Sequence, residues 1–259
     1  MKFILVLAFG AQWLTYPTAG VPRLPDGSPN LEAPAPRTPD GKPDFSGLWE
    51  PLKNRPCPPE GCPDMQVPLE FTNIGSSLKD GPPYQPWAAE IRKSRAEQNG
   101  KGDPVSRCLP GGLVKLHTTP LFRKIIQIPG LIVALHEMDA TYRQIFIDGR
   151  ALPDIDMPSA KGFSTGRWEG DTLVVQTTGF PDGLWLDRNG SPMTDAAKIT
   201  ERYRRLNYGT MEIEMTIDDP KAYTRPWTIK LTHKIVLDAE LIDYLCVENE
   251  KDAGRLLGK

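Results

Sequence analysis

Charge of one sign is missing from this sequence: 31 Lys and Arg stand against 33 Asp and Glu, for a formal net charge of -2. Such a balance supplies no sequence-independent attraction to a polyanion, so nucleic acid is excluded as a partner class. Charge runs and heptad patterns are also absent, which removes coiled coils and charged tails. Histidine is scarce, with His117, His136 and His233 far apart and without paired spacing, so no metal site is expected. No cofactor motif is present. After the first fourteen residues no apolar run is long enough to span a bilayer, and no transmembrane segment is expected in a mature chain.

What the sequence does have in quantity is proline, 27 residues, beside 39% hydrophobic residues. That combination suits a loop-rich β protein better than a helical bundle. At the N-terminus, Met1-Lys2, the apolar run Phe3 to Leu14 and the small residues Thr18-Ala19-Gly20 form the three regions of a secretory signal peptide. We therefore expect a periplasmic or secreted protein with residues 1–20 removed. No cysteine sits at that exit, so a lipid anchor is not indicated.

Export makes pairing of Cys57, Cys62, Cys108 and Cys246 the expectation. Cys57 and Cys62 flank the turn-forming Pro58-Pro59-Glu60-Gly61, which favours Cys57–Cys62 as a local clip and leaves Cys108 for Cys246. A zinc site on four cysteines is the competing arrangement, disfavoured because only one short Cys pair is present.

Residues 21–44 are rich in proline and poor in large apolar side chains, and are expected to form an extended linker or arm. The folded domain is expected over 45–259. One helix is expected, Pro86 to Asn99, with proline in its first turn and Gly100 as its stop. Strands are expected at Phe45 to Trp49, Phe122 to Ile128, Leu131 to Met138 and Thr141 to Ile147. A meander from Gly162 to Ile217 follows, turning at Glu169-Gly170-Asp171. Met211, Ile213, Met215 and Ile217 alternate strictly with polar residues. A last hairpin is expected from Trp227 to Leu237 and Glu240 to Val247. About ten strands at this spacing predict an all-β protein, a closed antiparallel barrel with one peripheral helix.

Two resemblances stand beside this reading. Gly47-Leu48-Trp49 on the first strand resembles the Gly-x-Trp of lipocalins and other calycin barrels, in which the tryptophan closes one end. Asp148-Gly149-Arg150, the block from Gly166 to Val175 (GRWEGDTLVV), Ile199 to Tyr203 (ITERY), Thr216 to Trp227 (TIDDPKAYTRPW) and Cys246 to Asn249 together resemble an uncharacterised family of exported bacterial proteins. That resemblance spans Asp103 to Asp252. It implies a secreted β-rich domain and no particular reaction.

Gly162-Phe163-Ser164-Thr165-Gly166 matches the G-x-S-x-G of a nucleophile elbow, but a strand follows it where a helix is required, so it reads as a strand entry. Alternation places His233 with Trp227, Ile229 and Leu231, Glu201 with Ile199 and Tyr203, and His136 with Ile132 and Ala134. Polar residues on an apolar face are candidates for acid–base work or ligand orientation. Trp168, Trp185, Tyr203 and Trp227 are candidates to line a cavity, with Trp185 and Asp187 at its mouth and Arg225 as a carboxylate clamp or an ion-pair partner of Asp218 or Asp219.

The reading is thus an exported barrel that binds a small, largely apolar molecule in its interior. The alternative is an enzyme, a lyase, isomerase or hydrolase, using Glu201 and His233 as acid and base. A third class is an envelope-interaction module that works through its proline-rich arm.

Overall fold

A computed structural model describes residues 16–57, 59, 61, 66–154 and 156–246. The expected signal peptide therefore lies outside the described residues up to Thr15, as do Cys62, with the expected Cys57–Cys62 clip, and Val247 to Asn249.

The chain forms β1 (Gly47–Pro51), α1 (Leu69–Thr72), α2 (Pro86–Glu97), α3 (Leu113–Thr118), β2 (Arg123–Ile128), β3 (Leu131–His136) and β4 (Thr141–Phe146). It continues through β5 (Phe163–Glu169), β6 (Thr172–Thr178), β7 (Leu184–Trp185), β8 (Pro192–Met193), β9 (Lys198–Arg205), β10 (Thr210–Asp218) and β11 (Trp227–Val236). Nine strands close into a barrel in the order β1-β11-β10-β9-β6-β5-β4-β3-β2, and β7 pairs with β8 outside it. The all-β barrel expected from the strand pattern is present, with helices added at one end.

Alternation explains most of the wall. On β10, Met211, Ile213, Met215 and Ile217 are all fully buried, and Glu212 and Glu214 face outward. Closure comes from the chain's first strand, which pairs with β2 on one side and with β11 on the other, Trp49 standing opposite Ile235. Closure removes the free edges that the barrel strands would otherwise present.

Four expectations are corrected. The hairpin Trp227 to Leu237 with Glu240 to Val247 does not form: β1 occupies the edge of β11 that such a strand would need. Residues 239–246 turn away instead, and Tyr244 bridges Met138. The barrel is not wholly antiparallel, because β4 and β5 run parallel at Ile145↔Ser164 and Phe146↔Thr165. Parallel neighbours need a connection that returns along the wall, and residues 147–162 supply it. That connection ends at Gly162, whose φ of +62° suits glycine and where a Cβ would come within 2.6 Å of Thr177.

The single peripheral helix, α2, has companions. α3 was invisible to helical periodicity because it has only six residues and all of them are buried. Lastly, residues 21–44 are not a free arm. They contain Pro-Arg-x-Pro-Asp-Gly-x-Pro twice, as Pro22 to Pro29 and Pro36 to Pro43, and both copies fold alike. Arg23 bridges Pro29 and Arg37 bridges Pro43, and each arginine Nη1 donates to its glycine carbonyl, at 3.0 Å to Gly27 and 2.7 Å to Gly41. The barrel holds this segment through Tyr208 N to Ala33 O, Gly209 N to Leu31 O and an Arg37–Asp171 ion pair of 2.6 Å.

The two ends of the barrel are closed differently. At the end where β1 begins, Trp49 is fully buried and its indole Nε1 donates to Phe45 O at 3.0 Å. The Arg205 guanidinium lies 4.9 Å from the Trp49 ring centre and donates to the carbonyls of Asp44 and Tyr208. At the other end sit α3, the β7–β8 hairpin and the loops around α2.

Cys108 and Cys246 form the expected disulfide across 138 residues, tying the segment after the last strand to the loop before α3. Loop closure on this scale contributes up to ~5 kcal/mol in the chain-entropy account. Cys246→Ser should therefore lower the melting temperature by about 10 °C or more in calorimetry, and an unchanged transition would mean that the bridge constrains little.

Candidate functional site

The interior of the barrel is polar at its centre. Glu201 on β9, paired opposite Val175 of β6, is fully buried. Arg143 on β4 meets it with both terminal nitrogens, Nη1 at 3.0 Å to Oε1 and Nη2 to Oε2. Its remaining protons go to the Tyr203 hydroxyl at 3.1 Å, Thr177 Oγ1 at 2.9 Å and Ser164 Oγ at 3.1 Å. All five N–H groups of this guanidinium are thereby used. Ser164 is thus a strand residue bound to arginine and not the nucleophile of an elbow.

Tyr203 donates its hydroxyl proton to Glu201 Oε1 at 2.7 Å, so these two candidates from one strand face are bonded to each other. His117, delivered by α3, also reaches Glu201 Oε1, with Nε2 at 2.8 Å. The other ring nitrogen settles its protonation. Nδ1 lies 2.7 Å from Arg123 Nη1, which can only donate, so Nδ1 accepts and Nε2 carries the single ring proton. His117 is therefore a neutral imidazole, and burial, outweighing Glu201, pulls its pKa down to about 4.

Burial alone would push the Glu201 carboxyl up. Arg143 and the His117 hydrogen bond outweigh it and hold the group well below the usual carboxylate range. Burial, reinforced by Glu201, raises the Tyr203 phenol far above its ordinary value.

Glu201 and Tyr203 are in contact, and His136 and Tyr203 line one small cavity with His117 and Arg123. His233 does not touch Glu201. It stacks on His117 with ring centres 5.8 Å apart and places Nε2 3.1 Å from the His117 carbonyl. The three histidines so distant in sequence therefore gather around one point. Among the described residues no group of three His, Cys, Asp or Glu is placed to hold a metal ion.

The aromatic candidates are scattered. Trp168 stacks on Phe45 near the closed end, Trp227 packs on Tyr223, and Trp185 lies beneath Arg95 at 4.4 Å. Asp187 is fully buried and serves the loops, accepting from Ile74 N, Ser191 N and Ser191 Oγ at 2.7 to 3.0 Å. Arg225 is exposed and makes no ion pair among the described residues. Asp219, offered as its partner, instead accepts from Thr194 N and Oγ1.

Sequence reasoning missed Arg143, Arg123 and His117. On β2 the apolar residues mislead: Ile126 and Ile128 are 41% and 49% exposed, whereas Arg123 faces inward and is buried.

Volume separates two kinds of space. The cavity along the barrel axis has a volume of about 20 Å³, room for about one water molecule. Outside α3 lies a groove of about 600 Å³ between Val67, Phe71, the loop 99–106, Leu121, Met138 and Tyr244. Lys101 and Arg188 border it. Lys115 lines it too, with Nζ 2.6 Å from Asp103 Oδ1 and 5.7 Å from the Trp185 ring centre. Burial lowers the Lys115 pKa against the pull of Asp103. Thr119 Oγ1, on the same wall, is buried without a hydrogen-bond partner.

The fold and its sites define a closed nine-stranded barrel with a charged centre, in which Arg143 and Glu201 are fully paired, and a groove at one mouth. No family model matches the chain, and no curated protein matches it in sequence.

Two outcomes follow from the cluster. Between pH 6.5 and about 4 the unfolded chain protonates its copy of His117 and the folded barrel does not. Stability should fall with pH through that window, by about 3 kcal/mol from this residue. His136 and His233, also pulled down by burial, act in the same direction. Urea titrations at pH 7 and pH 4.5 check this. Glu201→Gln should cost about 3 to 5 kcal/mol, since it strands Arg143 as a buried charge, and a change below 1 kcal/mol would show that the pair is not integral to the fold.

Proposed function

We propose that this protein is an exported, calycin-like barrel that binds a small, largely apolar molecule carrying one acidic group. The ligand lies in the groove outside α3, not on the barrel axis. The observation that carries the reading is volume with chemistry: about 600 Å³ is within the range of small-molecule sites, whereas the axis admits about one water. The walls combine Val67, Phe71, Leu121 and Met138 with Lys101, Lys115 and Arg188 against Asp103. Apolar walls with an excess of cations fit an apolar body and an anionic end.

The calycin comparison rests on Trp49, which is buried at the closed end beneath Arg205 as a Gly-x-Trp tryptophan would be. Export rests on the N-terminal pattern and on the Cys108–Cys246 bridge, since disulfides persist in oxidising compartments. The enzymatic alternative finds its acid–base pair in Glu201 and His117, not Glu201 and His233. Both are sealed behind α3, which leaves no approach for an organic substrate.

Anilinonaphthalene sulfonate, an apolar fluorophore with one acidic group, tests the groove. One equivalent should bind saturably, Leu121→Trp should abolish binding by filling the wall, and Arg188→Ala should weaken it about two- to fivefold. Binding that ignores both substitutions would remove the groove from consideration. Native mass spectrometry of protein recovered from the periplasm should show a small molecule that is released on denaturation.

A further inference from the structure

Two arginines share the barrel core and are served unequally. Arg143 spends all five donors on protein acceptors, one of them a carboxylate. Arg123 is equally buried, yet it donates only to His117 Nδ1 and to the His117 carbonyl, both neutral. Among the described residues its Nε has no partner, and neither has Nε2 of His136, which stands opposite Arg123 in the β2–β3 register. Both residues line the small axial cavity.

Charge is unbalanced in the same place. Arg123 and Arg143 face one carboxylate, Glu201, which Arg143 already neutralises. Glu137, just after β3, is turned to the backbone N–H groups of Phe122 and Ile242. The histidines are held neutral by burial, and Lys161 adds positive potential from the rim. A lone buried guanidinium is costly unless an anion accompanies it. A water would accept its hydrogen bond and leave the charge uncompensated. Space limits the anion, because room for about one water-sized sphere excludes phosphate, sulfate and organic carboxylates.

We propose that the barrel core is an anion site, in which a monovalent halide-sized ion sits between Arg123 and His136 as a structural ligand of the folded protein. Ala134 forms part of the apolar wall of this cavity. The site is independent of the groove, so its failure would leave the ligand reading untouched.

The test uses the whole protein, dialysed at length into sodium gluconate and titrated with sodium chloride at constant total salt. The melting temperature should rise by about 3 to 6 °C per tenfold increase in chloride above the dissociation constant. Arg123→Leu should show no rise. Should that variant fail to fold, Ala134→Leu removes the volume and is expected to abolish the chloride response. Crystals grown in sodium bromide should show one anomalous peak within hydrogen-bonding reach of Arg123. Absence of that peak, density there without anomalous signal, or a chloride response retained in Arg123→Leu would each overturn the proposal.

Discussion

A carboxylate at the centre of a β-barrel is tolerable only if something holds its charge, and here Arg143 does so with a two-pronged contact to Glu201. Around this pair the interior is arranged as a chain of obligations. Glu201 leaves lone pairs for Tyr203 and His117; Arg143 leaves protons for Thr177 and Ser164. Strands β4, β5, β6 and β9 and helix α3 are thereby fixed to one point by hydrogen bonds that lose their value if any member shifts. Apolar packing of similar volume is often as stabilising as a buried ion pair; what this pair supplies is a set of directional contacts that joins four strands and a helix at one point.

The same arrangement fills the axis of the barrel and leaves the larger space outside it. An open calycin-type lumen needs small or apolar inward residues, and this one is occupied from three sides by arginine, histidine and tyrosine. α3 enters as a plug, placing His117 in the core and Lys115 at the groove outside. A six-residue helix thus connects the two environments, and a movement of it would be felt by both.

Much of the wall was legible in the sequence because strict alternation leaves little choice: β9, β10 and β11 bury the faces that their apolar residues predict, with Glu201 and His233 carried inward at the expected parity. The turn at Glu169-Gly170-Asp171 and the Cys108–Cys246 bridge were equally readable. What stayed hidden were positions where burial runs against residue type. Hydrophobicity cannot announce that Arg123 is inside and Ile128 outside, since that exchange depends on partners supplied by distant strands. α3 is too short to show a stripe, and the last expected strand failed because the competing edge belonged to β1, a pairing without local signature. The repeated Pro-Arg-x-Pro-Asp-Gly-x-Pro, by contrast, was present to be read, and composition obscured it.

Closure by β1 has a consequence for how the chain reaches this state. Trp49 must find Ile235, and the barrel has two raw edges until it does. No portion emerging first from a ribosome can complete the cylinder, because its opening and closing strands come from opposite ends of the described chain. Synthesis order and folding order are thereby uncoupled: the first strand made waits for the last, and long-range pairing of this kind is slow.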